Sequence, residues 1–380
     1  MSNEPIRILE VFGRMNRGGA EVMIMNLYRK MDRSRVQLDF MVHTEEHCLF
    51  DDEIRSLGGH IYRVPRFKVY NILAYRKAWR NFFKNHSEHT VVHGHMGFSA
   101  AIYLHEGNRA GRYTIAHSHS AGNGYRSFAD VIYKFCAYPT RYVARQFFGC
   151  STEAGISRYG RKKVHSSQYS NFPNAIDLDT FAFDRNVRQQ KRHELGVSEH
   201  QPVIIHVGRV TLQKNPPMIY RTFKEIVKQN HNAVCLWVGT GEQEDSYRKA
   251  IAEEGLQERI RMMGVRIDIP SLLMAADSLL FPSLWEGLPV SVIEAQATGL
   301  PCVIANTISP EVAVSSLVEW HDLHESVGKW ASCCLGQCRK GQIDRQSPKD
   351  EIRKAGYDIL ESAIRLQEIY MIGNESALIK

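Results

Sequence analysis

The run Ser278-Leu-Leu-Phe-Pro-Ser-Leu-Trp-Glu286-Gly-Leu-Pro-Val-Ser-Val-Ile-Glu294-Ala-Gln-Ala-Thr-Gly299-Leu-Pro-Cys302-Val-Ile-Ala305 decides the fold class. Its two apolar ends, Ser278–Phe281 and Cys302–Ala305, have the length and bulk of buried strands. Between them, Ala295 to Thr298 are placed as a helix, Gly299 as its stop and Pro301 just beyond. Pro289 suits a first helical turn, where its missing N–H is not needed. Glu286 then lies in the loop at the strand's C-terminal end, and Glu294 lies inside the helix. Strand, tight loop, short helix and strand make a parallel α/β unit, and ligands of such sheets sit at the C-terminal strand edge.

The same alternation runs along the whole chain, which predicts parallel α/β architecture throughout. Ile6–Phe12 reads as a first strand, followed by a Gly-containing loop and a helix from Ala20 to Met31. Gln37–Val42, Val91–His93, Tyr113–Ala116 and Phe147–Cys150 complete a first series. Pro202–Val207, Ala233–Val238, Ile260–Met263, Ser278–Phe281 and Cys302–Ala305 form a second. The polar stretch Arg185–His200 between them includes a basic helix. The boundary falls near residues 170–178, giving domains over 1–172 and 173–350. The segment 351–380 is helical: Lys349 to Tyr370 reads as one long helix with an apolar face at Ile352, Ala355, Ile359, Ala363, Leu366 and Tyr370.

Length and composition agree. A chain of 380 residues, 43% hydrophobic and 23% charged, has material for two cores. No run approaches the eighteen or so apolar residues of a spanning helix, and MSNEPIRILEVFGRM lacks the features of a signal peptide. Eight thinly spread Cys point to a reducing compartment, hence the cytoplasm. The net charge of +7 is lopsided: residues 1–170 carry 25 Lys/Arg against 14 Asp/Glu, or +11, and the remainder carries −4. That suggests an acidic partner for the first half, with a merely solvated basic surface as the plain alternative. Scattered cations without a recognition motif argue against nucleic acid.

Several loops could meet phosphate. Val207-Gly-Arg209 ends the first strand of the second series, and Lys214 follows in Gln213-Lys-Asn-Pro216 before a helix. Two cations beside a helix start can clamp a diphosphate, although any surface loop can carry an Arg and a Lys. Val238-Gly239-Thr-Gly241 is a second Gly-rich strand end, weak by itself. Gly18 and Gly19 permit close backbone approach to a ligand. With Gly13 they have the wrong spacing for a dinucleotide fingerprint, so a nicotinamide cofactor is disfavoured.

As an ordered set, FPSLWEGLPVSVIEAQATGLP, HVGR, QKN, VGTGE, NFPNAID and an early GGAE resemble the retaining glycosyltransferases of family 4. The resemblance spans residues 6 to about 370 and is closest to bacterial transferases of capsule and exopolysaccharide assembly. It departs at Ala175, where the family usually has Gly, in an inter-domain turn. The resemblance implies the GT-B fold: two Rossmann-like domains facing across a cleft, with a C-terminal helix crossing back to the first domain. It implies transfer of a sugar from a nucleotide-sugar, by family habit a UDP-sugar, to a glycan or lipid-linked acceptor. Glu294 would accept hydrogen bonds from ribose hydroxyls. Glu286 with the amides of Gly287 and Leu288 would face the donor sugar and leaving phosphate. Arg209 and Lys214 would hold the diphosphate, and Val265 and Arg266 would lie near the base. His119, with His117 as runner-up, would face the donor sugar.

No metal or other cofactor is expected, because the single Asp-x-Asp triplet, Asp177-Leu-Asp179, reads as an ordinary turn. A zinc set of His321, His324, Cys333, Cys334 and Cys338 competes with a simple packed helix face. His93/His95 and His117/His119 alternate along strands without an evident carboxylate partner. The cluster Arg76, Lys77, Arg80 and Lys84, interleaved with Trp79, Phe82 and Phe83, suggests peripheral contact with the anionic inner face of a membrane; buried aromatics under solvated cations are the alternative. Two other readings compete with a transferase: a sugar-nucleotide epimerase of the same fold, and a non-catalytic nucleotide-sugar-binding partner.

Overall fold

A computed structural model describes residues 4–16, 18–119, 128–341 and 345–379. The chain forms two compact units: Met1–Ala175 with Gly356–Lys380, and Ile176–Ala355. Unit 1 is built on β1 (Ile6–Val11), β2 (Val36–Val42), β3 (Ile61–Arg63), β4 (His89–Gly94), β5 (Tyr113–Ser118), β6 (Gln146–Gly149) and β7 (Tyr169–Asn171). Unit 2 has β8 (Val203–Val207), β9 (Val234–Val238), β10 (Ile260–Gly264), β11 (Ser278–Phe281), β12 (Cys302–Ala305) and β13 (Val318–His321).

Both sheets are parallel and share one plan. The order is β3-β2-β1-β4-β5-β6-β7 in unit 1 and β10-β9-β8-β11-β12-β13 in unit 2. Each therefore reverses direction beside its first strand, between β1 and β4 and between β8 and β11. This is the doubly wound Rossmann arrangement of the GT-B class, and the crevice at such a reversal is where these sheets hold ligands. The central strands are buried on both faces, which is why they read as unbroken apolar runs. The three that escape that reading, β3, β7 and β13, are short and mixed in composition.

Two apolar layers cover the unit 1 sheet. On one side Trp79 and Tyr103, from helices Ile72–Asn85 and Ala100–Arg109, pack with Leu9, Val92 and Phe147. On the other, helix Gly19–Lys30 packs beside Ile359, Ala363, Leu366 and Tyr370 against Ile8, Val91, Ile115 and Phe148. Each such fully buried large side chain contributes about 1.5–3 kcal/mol. The expected single helix from Lys349 to Tyr370 is two helices, Lys349–Lys354 and Ile359–Leu378. Gly356, at φ +86°, turns the chain where an L side chain would be strained, and Asp358 caps the second helix by accepting from the Leu360 amide at 2.9 Å. The division between units falls in this same break.

Unit 2 hides charge that the sequence presents as a polar helix. Arg188 and Arg192, on helix Arg185–Glu194, are almost fully buried. Arg188 Nη2 donates to Asp277 Oδ1 at 2.6 Å, and its other terminal nitrogen donates to the carbonyls of Met274, Ala275 and Ala276. A buried ion pair with its remaining donors satisfied holds a helix end to the sheet, whereas either charge alone would be costly there.

Candidate functional site

At the reversal of unit 2, three segments converge on one salt bridge. The chain leaves β8 through Gly208 and Arg209, makes a short turn at Leu212–Lys214, and enters helix Pro216–Gln229 through Asn215. Asn215 has φ +59°, alone among the described non-glycine residues in this region of backbone space. Asn tolerates it best, and the kink aims the preceding lysine back over the sheet edge. Lys214 Nζ lies 2.6 Å from Glu286 Oε1 and 4.5 Å from the centre of the Phe281 ring. Gln213 donates to Glu286 Oε2 at 3.2 Å and to the Trp285 carbonyl at 3.1 Å. Burial lowers the Lys214 pKa, and the Glu286 charge opposes that shift. Arg209 is exposed, close enough to act on Lys214 electrostatically, and makes no ion pair among the described residues.

Glu286, Gly287 and Leu288 lead into helix Val290–Ala297. Pro289 is its N-cap in extended backbone, one position earlier than expected. No side chain caps this helix and no acid occupies its first turn; the Val292 amide donates to the Pro289 carbonyl at 3.1 Å, and the Val290 and Ser291 amides ahead of it remain available to an anion. Glu294 sits one turn further in. Burial raises its carboxyl to about 7, with no charged neighbour to offset the loss of solvent. Hydroxyl donors would restore the ionised form.

Gly239 and Gly241 have a packing reason of their own. A Cβ at Gly239 would stand 2.1 Å from the Gly208 carbonyl, and one at Gly241 would stand 2.4 Å from that of Val210. These glycines let the loop after β9 lie directly on the loop that carries Arg209. The Gly239 amide also donates to the Gly264 carbonyl at 2.8 Å, which fixes the turn before Val265. Val265 is exposed, while Arg266 is paired bidentately with Asp268 at 2.8 and 2.7 Å.

At the reversal of unit 1 stands a cluster of imidazoles. Glu10 in β1, His93 in β4 and His117 in β5 are buried within the sheet, and His95 and His119 follow at the strand ends. The tilted rings of His93 and His95 lie 4.2 Å apart, and the stacked rings of His117 and His119 lie 4.1 Å apart. His95 Nε2 lies 2.8 Å from Glu10 Oε2, and its Nδ1 lies 2.7 Å from His119 Nε2. Tyr370 donates to Glu10 Oε1 at 2.5 Å, and His93 Nδ1 lies 2.7 Å from the same phenol oxygen. Burial, reinforced by the neighbouring His93 and Arg158, drops His119 to about 3; His95 and His117 also fall well below the ordinary histidine value. These rings are therefore neutral at pH 7. Both carboxylate and phenol went unnoticed in the sequence. Glu10 carries a readable signal, an acid in the middle of the apolar strand Ile-Arg-Ile-Leu-Glu-Val. Tyr370 carries none, since it fits the apolar face of its helix.

His93, His95 and His117 bring ring nitrogens within 4.8 Å of one another, a spacing that invites a cation. Both His95 nitrogens, however, are already engaged. The zinc set read from sequence assembles only in part: His321 and Cys333 come together with Glu319, their ligand atoms within 4.8 Å of one another, and the other three stay apart. Cys334 and Cys338 are buried beside Cys235 and Ser278, His324 is exposed, and His321 is bonded to Glu325 at 2.6 Å. None of the eight cysteines is joined in a disulfide.

Gly18 and Gly19 stand at the start of helix Gly19–Lys30, and a Cβ on Gly19 would meet nothing. The basic helix differs from its amphipathic reading. Trp79 and Phe83 are core, and Arg76 and Arg80 both bond the buried Glu106, at 2.6 and 2.8 Å. Exposed apolar groups lie nearby instead: Tyr70 at 82% exposure, Leu73 at 79% and Phe135 at 80%. Ring contacts from Phe67 through Phe98 to Tyr133 join those two surfaces. No helix among the described residues is long and apolar enough to cross a membrane.

Residues 17–180 match the family model "Glycosyltransferase Family 4", and residues 187–319 match "Glycosyl transferases group 1". EpsF of Bacillus subtilis (strain 168), whose name assigns it as a glycosyltransferase only provisionally, is 29% identical over 99% of both chains. The capsular polysaccharide biosynthesis glycosyltransferase CapH of Staphylococcus aureus is 25% identical, covering 96% of this chain and 99% of its own. Among solved structures, Anabaena Alr3699/HepE in complex with UDP superimposes with a TM-score of 0.77 at 16% identity, covering 97% and 99% of the two chains.

Proposed function

Because the chain belongs to the family 4 glycosyltransferases, with one family model matching each unit, we propose that it moves a sugar from a UDP-sugar to a glycan or lipid-linked acceptor in surface-polysaccharide assembly, with retention at the anomeric carbon. One observation carries the reading: Lys214 is held against Glu286 beside an Arg209 that has no ion pair among the described residues, at the reversal of the sheet, and the helix after Glu286 begins with open amides. That is a cationic, donor-rich seat for a diphosphate. The name of CapH and the UDP bound by HepE favour this substrate class.

In this reading Arg209 and Lys214 face the two phosphates, and the Gly287 and Leu288 amides meet the phosphate nearest the sugar. Glu294 accepts the ribose hydroxyls as an ionised carboxylate. Exposed Val265 offers an apolar surface to the base, with the Arg266–Asp268 pair beside it. The bond between the anomeric carbon and the phosphate oxygen breaks, and its electron pair leaves with the nucleoside diphosphate. The acceptor oxygen bonds to that carbon on the same face, and its proton passes to the departing phosphate. Fixed cations and helix amides meet the charge that develops, so no divalent metal is required at the diphosphate. Glu286 is tied to Lys214 and Gln213, which suits a charge-stabilising group better than a covalent nucleophile. Neutral His119 hydrogen-bonds a hydroxyl of the reacting sugar.

The basic excess of residues 1–170 and the exposed Tyr70, Leu73 and Phe135 favour reversible attachment to the cytoplasmic face of an anionic membrane. Mass spectrometry after incubation with UDP-sugars and a lipid-linked or oligosaccharide acceptor tests the assignment. A mass increase of one sugar on the acceptor, with release of UDP, is expected. An epimerised donor, or an unchanged mixture across the donor set, would overturn it.

A further inference from the structure

The hydrogen bonds around Glu10 determine which nitrogen of His119 carries the proton. Tyr370 gives its phenol proton to Glu10 Oε1, so the oxygen facing His93 accepts from His93 Nδ1–H. The second carboxylate oxygen of Glu10 faces His95 Nε2 at 2.8 Å. A carboxylate only accepts, so that nitrogen bears the proton. Neutral His95 then has a bare Nδ1, which must accept from its neighbour at 2.7 Å, His119 Nε2. The proton of His119 is thereby placed on Nε2. His119 Nδ1 is left as a buried lone pair without a partner among the described residues. Phe12, stacked on His95 at 4.2 Å, holds the middle ring in plane.

We infer that Glu10 and His95 are positioning residues that lock His119 in the Nε2–H tautomer, so that its Nδ1 serves as a neutral acceptor for a sugar hydroxyl. The ligand class follows from the chemistry. An uncharged, desolvated lone pair recognises an O–H or N–H donor and offers nothing to phosphate. A buried acceptor left without a donor is unfavourable, so the matching hydroxyl is selected over a deoxy sugar. This rests on the transferase reading for the identity of the hydroxyl, though the tautomer itself does not.

The chain of bonds can be inverted by one isosteric change. In Glu10→Gln the amide oxygen stays on the Tyr370 hydroxyl and the amide N–H groups face His95 Nε2, which must then be bare. The His95 proton moves to Nδ1, and it donates to His119 Nε2. The His119 proton is displaced to Nδ1, converting an acceptor into a donor.

Nitrogen-15 spectra of the full-length protein with labelled histidine read this directly, because protonated and bare ring nitrogens resonate far apart. The expected native pattern is a protonated Nε2 and a bare Nδ1 for His119, assigned with the His119→Gln variant. In Glu10→Gln the two should exchange. The kcat for sugar transfer should fall about tenfold or more, while UDP affinity stays within about twofold. A protonated Nδ1 in the native protein overturns the inference whether or not Glu10→Gln folds. So does an unchanged His119 pattern in a folded Glu10→Gln protein. Equimolar Zn²⁺ provides a further arm: metal-type shifts at His93, His95 and His117 would mean that the cluster is a cation site and would also overturn it. Unmoved spectra are expected. If no donor is ever transferred, the transferase reading fails while the native spectrum still decides the tautomer.

Discussion

At the reversal of the unit 2 sheet a lysine and a glutamate stand 2.6 Å apart beside an arginine that has no ion pair among the described residues; at the same topological place in unit 1, four imidazoles crowd around one carboxylate. The scaffold is the same, with strand order and direction repeated. The side chains delivered to it differ in kind. Unit 2 keeps formal charge at its edge and supports it with amides, which suits an anion. Unit 1 neutralises His95, His117 and His119 by burial and spends its one carboxylate on orienting the cluster, which suits a hydroxyl. A doubly wound sheet thus supplies a place for a ligand, and the residues after each strand choose its chemistry.

The largest expected effect breaks the comparison on the charged side. Arg209→Ala and Lys214→Ala should each weaken UDP binding by about 1.5–3 kcal/mol, a charged hydrogen bond apiece, as read by calorimetry. They should differ in stability. Lys214→Ala leaves Glu286 without its cation and should lower the melting temperature, whereas Arg209→Ala, at an exposed site, should not. Unchanged UDP affinity in both variants would remove the diphosphate assignment.

Next comes the opposite pH response of the two edges. Glu294 has a folded pKa of about 7 against an ordinary 4.5, so the folded protein holds a proton that the unfolded chain releases. Stability from this group is present at low pH and lost as pH rises through about 7. Glu294→Gln should therefore stabilise the ligand-free protein by about 2–3 kcal/mol at pH 8 and by little at pH 5. His95, His117 and His119 run the other way. Their folded values are depressed, His119 to about 3, so below about 6.5 the unfolded chain binds protons that the folded unit refuses. Stability should fall with acid, and Glu294→Gln should leave that acid limb in place. Denaturant melts across pH 5–8 check both signs.

Smaller effects sharpen the contrast. With His119 neutral down to about pH 3, no loss of kcat between pH 8 and 6 should trace to histidine protonation. A kcat profile that retains a histidine-like limb in Glu294→Gln would contradict that. Full transfer activity is expected in EDTA, and activity lost to chelator and restored by Mn²⁺ or Mg²⁺ would refute metal-free handling of the diphosphate. Least in magnitude, Tyr70→Ser with Leu73→Ser should reduce sedimentation with anionic vesicles at low salt, with neutral vesicles ineffective throughout. No sedimentation of the parent protein would end the membrane proposal.

How much could be read from the sequence follows from which forces are local. Strand burial on both faces writes itself as apolar runs, so the central strands are visible, while β3, β7 and β13 are too short and mixed to stand out. The unit from Glu286 to Glu294 is contiguous, so its loop and helix could be anticipated. The split of Lys349–Leu378 turns on a single glycine inside an otherwise sustained apolar periodicity. Trp79 and Phe83 interleave with cations along one helix, and only the partner surface shows that they face inward. Arg188 and Arg192 look solvated until Asp277, 89 and 85 positions away, meets them. The Glu10–Tyr370 bond joins residues 360 positions apart, a distance at which neither spacing nor periodicity carries information.

That last separation also bears on the order in which the protein is made. Helix Ile359–Leu378 belongs to unit 1, yet it leaves the ribosome after all of unit 2. Until then Ile8, Val91, Ile115 and Phe148 lack part of their cover, and Glu10 lacks its phenol. Unit 2 has every strand of its sheet beforehand and can fold while synthesis continues. The first half of the chain to emerge is then the last to be completed. A nascent protein stopped near residue 355 would hold a finished second unit and an open first one, a species for chaperones to recognise rather than a partly active enzyme.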